Sequence, residues 1–267
     1  MILVAGGTGR LGTELVRRLV DRGEPVRVLT RDPERATHLP TVDVVVGDVR
    51  RAGDVAAAVR GVEAVVSAVH GFTGPGVSPA SVDRDGNACL IRAAAAVRAH
   101  IVLLSVVGAS SAHPMELFRM KAAAEDLLRQ TTVPWTIVRA GAFLELHQDL
   151  MRRTAGRSGR PVVFGRGHNR IAFASVPDVA ATVDRALADS SYRGRVVEVT
   201  SGTLTFDELA ARLEPELGPG SRRPRHVPRP VLRLLATAGG TVPGRQAAAA
   251  LVMDTEEFTA GVAEPLR

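Results

Sequence analysis

Short runs of Val, Ile and Leu alternate along this chain with segments whose apolar residues recur every three or four positions. Residues 2–5 read as a strand. The segment after them places Leu11, Leu15 and Leu19 on one helical face and stops at Gly23, with Pro25 beyond. Residues 26–29, 42–46, 62–69, 101–107 and 135–138 read as further strands. Helical stretches at 52–59, 82–99 and 115–130 separate them. Uninterrupted apolar strands are buried on both faces, so the pattern predicts an α/β fold, a doubly wound parallel sheet covered by helices. Beyond Phe143 the rhythm loosens. "AGRSGRPVVFGRGHNR" and "LGPGSRRPRHVPRP" are rich in Gly, Pro and Arg and read as loops and irregular connections. In this half, 171–175 and 196–200 are expected strands and 177–188 a helix. Thr205, with Glu208 three positions on, forms the signature of a capping box for a helix through Leu213. The expected organisation is a sheet domain over 1–142, to which 177–200 returns, and a smaller lid or substrate region over 143–267.

Composition narrows the picture. The chain has 267 residues, 45% of them hydrophobic and 23% charged, enough for one large domain or two modest ones and too apolar for wholesale disorder. The net charge of +6 is scattered and mixed with acids, and aromatics are only 3%, so no nucleic-acid partner is expected. No run approaches the roughly 20 apolar residues of a membrane span, and the first apolar stretch reaches glycine within a few residues. A cytoplasmic protein without a membrane partner is expected. The one cysteine, Cys89, permits no internal disulfide, and His147, His168 and His226 lack metal-ligand spacing, so no metal is expected. One count changes the picture. Of 34 Lys and Arg residues, a single one is lysine, Lys121, in "FRMKAAAEDL". Lys is a compact charge with three rotatable donors and Arg a rigid fork, so the exception points to a post that Arg would not fill.

Strand 2–5 runs directly into "GGTGRLG". Gly7, Gly9 and Gly12 fit G-x-G-x-x-G, and Gly6, Gly9 and Gly12 fit the related G-x-x-G-x-x-G spacing. In a strand–loop–helix context such glycines let backbone N–H groups, here also those of Thr8, Arg10 and Leu11, approach a pyrophosphate at a helix N-terminus. The end of the second strand selects the cofactor: a carboxylate there suits the ribose of NAD, and Arg suits the 2′-phosphate of NADP. "VLTRDPER" offers Arg31 and, one turn later, Arg35, which favours NADP(H). NAD(H) is the lesser expectation, with Asp32 as its acid. Asp48 and Val49 end the third strand, and Ser67, Ala68 and Val69 end the fourth. All five are candidate walls for the adenosine, with an N-cap as the other reading of Asp48.

"GGTGRLG", "LTRDPER", "GDVR", "LLSVVGA", the lone Lys before "AAEDLL", "VPWTIVRAGAF" and "FASVPDVA" together resemble the NmrA-like, quinone-reductase-type branch of the atypical short-chain dehydrogenases/reductases. The resemblance is strong over the first 145 residues and fades after 215. It implies a Rossmann domain binding NADP(H), a C-terminal substrate region, and hydride transfer to a small apolar carbonyl, enone or quinone. It also implies that Lys121 grips the nicotinamide ribose, that Ser105 is the site serine, and that Ala140, Gly141, Ala142 and Phe143 line the nicotinamide. The wider family's Tyr-x-x-x-Lys pair is broken: position 117 is Leu, on the same helix face as Lys121, and cannot donate a proton. The one tyrosine, Tyr192, is far away in sequence. His113 is the candidate acid in its place. Other readings stay open. Lys121 could pair with Glu125 at i+4, the fold could serve a cofactor-sensing regulator with a protein partner, or the chemistry could be non-redox, of isomerase or lyase type. A monomer or a homodimer is expected.

Overall fold

The computed structural model describes residues 1–74, 76–217 and 223–255. The chain divides into two compact units, Met1–Ala140 with Val176–Val199, and Gly141–Ser175 with Thr200–Arg267. The first unit is built on β1 (Ile2–Ala5), β2 (Val26–Thr30), β3 (Asp43–Val46), β4 (Ala64–Ser67), β5 (His100–Val106) and β6 (Trp135–Ala140). The second supplies β7 (Ala142–Phe143), β8 (Val162–Phe164) and β9 (Ile171–Ala174), after which β10 (Arg195–Val199) rejoins the first. The resulting seven-stranded sheet has the order β10-β6-β5-β4-β1-β2-β3, and every neighbouring pair is parallel. The order reverses between β1 and β4. In open α/β sheets, that switch point at the carboxyl ends of the strands is where ligands bind.

The helices follow the apolar periodicity. In α1 (Arg10–Asp21), Leu11, Leu15 and Leu19 are all buried. On the sheet, Leu3, Val65, Ile101, Leu103 and Ile137 have no exposed surface and share a core with Leu90 and Leu128. Burying each such side chain contributes about 1.5–3 kcal/mol before the entropy of ordering it. Next along the chain come α2 (Ala52–Ala58), α3 (Asn87–Ala96) and α4 (Glu116–Arg129). The helix expected over 82–99 opens as a wider π-helical turn, Ala80–Gly86, and ends with α3 at Ala96. Such turns are rare and are found often at functional sites.

In the second unit, α5 (Leu144–Ala155) precedes β8, whereas α6 (Val176–Ala188) belongs to the first. There Arg22, the C-cap of α1, pairs with Asp184 of α6 at 2.8 Å. The second unit continues with β11 (Gly202–Leu204), α7 (Phe206–Leu213), β12 (Arg225–Val227), α8 (Arg229–Ala236) and α9 (Val242–Met253). Its core holds Ile171, Phe173, Leu209 and Leu213. The capping box is present: Glu208 N–H donates to Thr205 Oγ1 at 3.1 Å, and Thr205 N–H donates to Glu208 Oε2 at 2.7 Å. Two segments read as loops contain short strands instead. β8 and β12 pair in parallel, Val162 opposite Arg225 and Phe164 opposite Val227. The portion 218–222 of the second segment lies outside the described residues. Among the described residues, no helix is long and apolar enough to cross a membrane.

Candidate functional site

The glycine loop sits at the switch point. Gly6 has φ +87°, and a Cβ on it would lie 2.6 Å from Ala68 O, beyond β4. Gly9 N–H donates to Gly6 O at 3.0 Å, closing the turn, and Gly9 then caps α1 without any side-chain acceptor. A Cβ on Gly12 would lie 2.1 Å from Gly6 O and 2.6 Å from Gly7 Cα. On Gly7 it would meet the Val28 side chain at 2.9 Å, whereas on Gly9 the nearest atom is Gly6 O at 3.3 Å. The steric demand therefore falls on Gly6, Gly7 and Gly12. The loop is a backbone cradle at a helix N-terminus, with first-turn donors that lack intrahelical acceptors, and a pyrophosphate fits that chemistry.

At the end of β2, Arg31, Asp32 and Arg35 are exposed. Asp32 Oδ1 accepts from Glu34 N–H at 3.1 Å and caps the 3₁₀ turn Pro33–Ala36. The guanidinium of Arg35 reaches back to the glycine loop, 3.5 Å from Thr8 O. At the end of β3, Asp48 is bound by its near neighbour: Arg50 donates to its carboxylate from the main chain at 2.9 Å and from Nη2 at 2.6 Å. The side-chain bond to Arg50 is the main reason that the Asp48 carboxyl lies below its usual range, with further help from the charge of Arg31. The N-cap of α2 is Arg51, so the capping reading of Asp48 is corrected. Val49 packs on Gly86, where a Cβ would come within 2.9 Å of it.

At the end of β4 the Ser67 hydroxyl is buried and donates to Asn87 Oδ1 in a short hydrogen bond. Asn87 Nδ2 in turn donates to Asp83 O at 2.8 Å. Ser67 is thus a strut, while Ala68 and Val69 present backbone beside the glycine loop. Lys121, 4% exposed, reaches across from α4. Its Nζ donates to Val69 O at 3.1 Å and Leu104 O at 2.9 Å and lies 3.1 Å from Asp83 Oδ1. That last contact is an ion pair without an aligned hydrogen bond. Asp83, on the π turn, has no exposed surface, and its Oδ2 accepts from Gly71 N–H at 2.7 Å. The alternative of a Glu125 pair is corrected: the carboxylate partner of Lys121 is Asp83, and three protein oxygens surround its three donors. Lys121→Met is expected to lower stability by about 3–5 kcal/mol, because Asp83 is left buried without its cation. Urea unfolding reads the loss, and Lys121→Met combined with Asp83→Leu should recover part of it.

Ser105, buried on β5, donates to Glu125 Oε1, and Arg139 of β6 grips the same carboxylate at 2.7 and 3.0 Å. The hydroxyl of Ser105, the expected site serine, thus donates into an internal ion cluster. His113 lies in the loop before α4. Its Nδ1 accepts from Met115 N–H at 3.0 Å and its ring stacks on Phe118 with centroids 4.1 Å apart. Tyr192 ends the short 3₁₀ turn before β10, and nearby Gly194 N–H bonds to Trp135 O at the start of β6. That is the amino edge of the sheet, opposite the glycine loop. Ala140 closes β6 and its carbonyl accepts from Val107 N–H at 3.0 Å. Gly141, Ala142 and Phe143 open the second unit, where Phe143 O meets His147 Nδ1 at 2.9 Å. Among the described residues, no group of three or more His, Cys, Asp and Glu could hold a metal ion.

A family model described as NAD(P)H-binding matches residues 6–190, the span that contains the glycine loop, Arg31 and Lys121. The chain belongs to the NAD(P)H-binding family. Two relatives of this NAD(P)H-binding chain are named as reductases. The (4-alkanoyl-5-oxo-2,5-dihydrofuran-3-yl)methyl phosphate reductase of Streptomyces griseus subsp. griseus is 34% identical, over 82% of this chain and 74% of the relative. The NAD(P)H azoreductase of Xenophilus azovorans is 30% identical over the same shares. Among solved structures, triphenylmethane reductase of Citrobacter sp., complexed with NADP(H), superposes with a TM-score of 0.80 at 21% identity, over 97% of this chain and 92% of that one. Its likeness shows the fold. The NmrA-like, atypical short-chain reductase resemblance read in the sequence agrees with this family.

Several residues that brace the carboxyl ends of the strands escape local sequence patterns. They are Asp83 and Asn87, at the end of β4, and the Glu125–Arg139 pair beside β5. Only the solitary lysine signalled that an unusual partner existed.

Proposed function

We propose that this chain is an NADPH-dependent oxidoreductase, transferring hydride to a small apolar carbonyl, enone or quinone without a tyrosine-based proton relay. The observation that carries the cofactor half is the cradle. Gly6, Gly7 and Gly12 have no room for a side chain at the β1/β4 switch point, Arg35 reaches to Thr8, and Arg31 is exposed just beyond β2. In this reading the cradle binds the pyrophosphate, and Arg31 and Arg35 hold the 2′-phosphate that distinguishes NADP from NAD. Asp32 suits NAD less well because its carboxylate caps the following turn. When bound, the cofactor supplies the hydride. Lys121 acts from beneath the site, fixing the backbone of Val69. The two relatives named as reductases support the redox half.

The test is a side-by-side fluorescence titration with NADPH and NADH, followed by turnover against a quinone and enone panel. NADPH is expected to bind at least about tenfold more tightly, and Arg31→Ala with Arg35→Ala should erase most of that difference, about 1.4 kcal/mol or more. Equal or inverted preference would return the ribose role to Asp32. A second reading, a cofactor-sensing regulator, draws support from Leu117 and from the committed hydroxyl of Ser105. Turnover with any member of the panel ends it.

A further inference from the structure

The chain beyond β4 runs without regular structure from Ala68 to Gly71, and it is clamped on both sides of residue 70. Lys121 holds Val69 O at 3.1 Å and Asp83 holds Gly71 N–H at 2.7 Å. The two clamping side chains are themselves an ion pair, 4% and 0% exposed. Gly71 is wedged as well, since a Cβ there would lie 2.1 Å from Ser78 O. Between the clamped residues stands His70. Its backbone is fixed by a buried charge pair, while its side chain reaches solvent at the switch-point edge. A surface histidine needs no such support. The expected proton donors are engaged or misplaced: His113 stacks on Phe118 with its Nδ1 accepting from Met115 N–H, Ser105 is bonded to Glu125, and Tyr192 lies at the opposite edge of the sheet, while Leu117 has no proton to give.

We propose that His70 is the catalytic acid of the reduction, held in place by the Lys121–Asp83 pair as positioning residues. The proposal rests on the oxidoreductase reading above. The acceptor gains a hydride with its electron pair and is reduced, and the dihydronicotinamide is oxidised. The acceptor oxygen takes the proton from the imidazolium of His70, whose N–H bond breaks as the O–H bond forms, and solvent returns the proton afterwards. The charged groups facing the ring are Asp83 from the π turn and Lys121 from α4, of opposite sign. Surrounding protein, the largest influence, and Lys121 lower the pKa of His70, against the opposing pull of Asp83. The acid form therefore accumulates on the acidic side of neutrality.

Two acceptors separate proton delivery from hydride delivery. A naphthoquinone such as menadione needs a hydride and a proton. A cationic triphenylmethane dye such as malachite green needs a hydride alone, because hydride uptake itself neutralises it. With NADPH, His70→Gln is expected to lower the quinone-to-dye ratio of kcat by about 100-fold, the scale of one general acid. The rise of quinone kcat towards acid pH should vanish with it. NADPH affinity, read by fluorescence, should stay within about twofold, which reports an intact cofactor site. A ratio that stays within about twofold of the parent's, with the pH limb retained, overturns the assignment. A parent protein that binds NADPH yet reduces neither acceptor overturns the oxidoreductase reading, and His70's role with it.

Discussion

Gly12→Ala is expected to weaken NADPH binding by about 100-fold or more, about 2.7 kcal/mol, while Gly9→Ala costs less than about tenfold. Both positions belong to the same motif, and local sequence gives no reason to rank them. The geometry does. An alanine Cβ at position 12 would lie 2.1 Å from Gly6 O and 2.8 Å from Gly6 C, and these are backbone atoms that cannot swing aside. Relief requires the turn closed by Gly9 N–H and Gly6 O to open, or α1 to lift from the sheet. Either movement displaces the donors that face the pyrophosphate. At position 9 the same atom is 3.3 Å away, and a shift of a few tenths of an ångström accommodates it. Fluorescence titration measures both variants. Far-UV circular dichroism and urea unfolding separate a distorted loop from an unfolded chain, because Leu11, Leu15 and Leu19 still anchor α1. Equal losses at 9 and 12 would show that backbone flexibility, and not close packing, is what the motif supplies.

What could be read from the sequence was what is local. Strands β1, β2, β4 and β5 announce themselves as apolar runs because both of their faces are covered. The glycine spacing announces the cradle because the turn, the close approach and the helix start all fall within seven residues. The short strands β8 and β12 were hidden. Each has three residues flanked by Gly, Pro and Arg, and each gains its hydrogen bonds from a distant segment. The partner of Lys121 was hidden for a related reason. On an isolated helix, Glu125 at i+4 is the natural neighbour. Here both side chains point into the protein, so residues from other elements decide the pairing: Asp83 takes the lysine and Arg139 takes the glutamate. In "SVDRDGN" nothing local marks Asp83 as a fully buried anion.

The Glu125 cluster yields the largest stability effect expected in this chain outside the cradle and the Lys121 pair. Glu125 is 1% exposed and accepts from Ser105, from Arg139 at 2.7 and 3.0 Å and from Arg129 at 2.8 Å. Burial alone would push its carboxyl up, and it is the largest single influence. The combined hydrogen bonds and charge of Arg139, with Ser105 and Arg129, outweigh it and bring the pKa below the ordinary 4.5. Glu125→Gln keeps the shape and removes the charge. It leaves Arg139 and Arg129 facing a neutral amide, at a cost of about 3 kcal/mol at neutral pH, the lower end for a broken buried pair because both arginines partly reach water. The sign of the pH dependence follows from the lowered pKa. The stabilisation is fully present above the unfolded-state value near 4.5 and is lost as pH falls through the folded-state value. Urea midpoints of the parent should therefore decline in that acidic window more steeply than those of Glu125→Gln, and the two curves should converge at the acid end. A gap between them that stayed constant with pH would mean that shape and packing, rather than charge, hold β5, β6 and α4 together at this point.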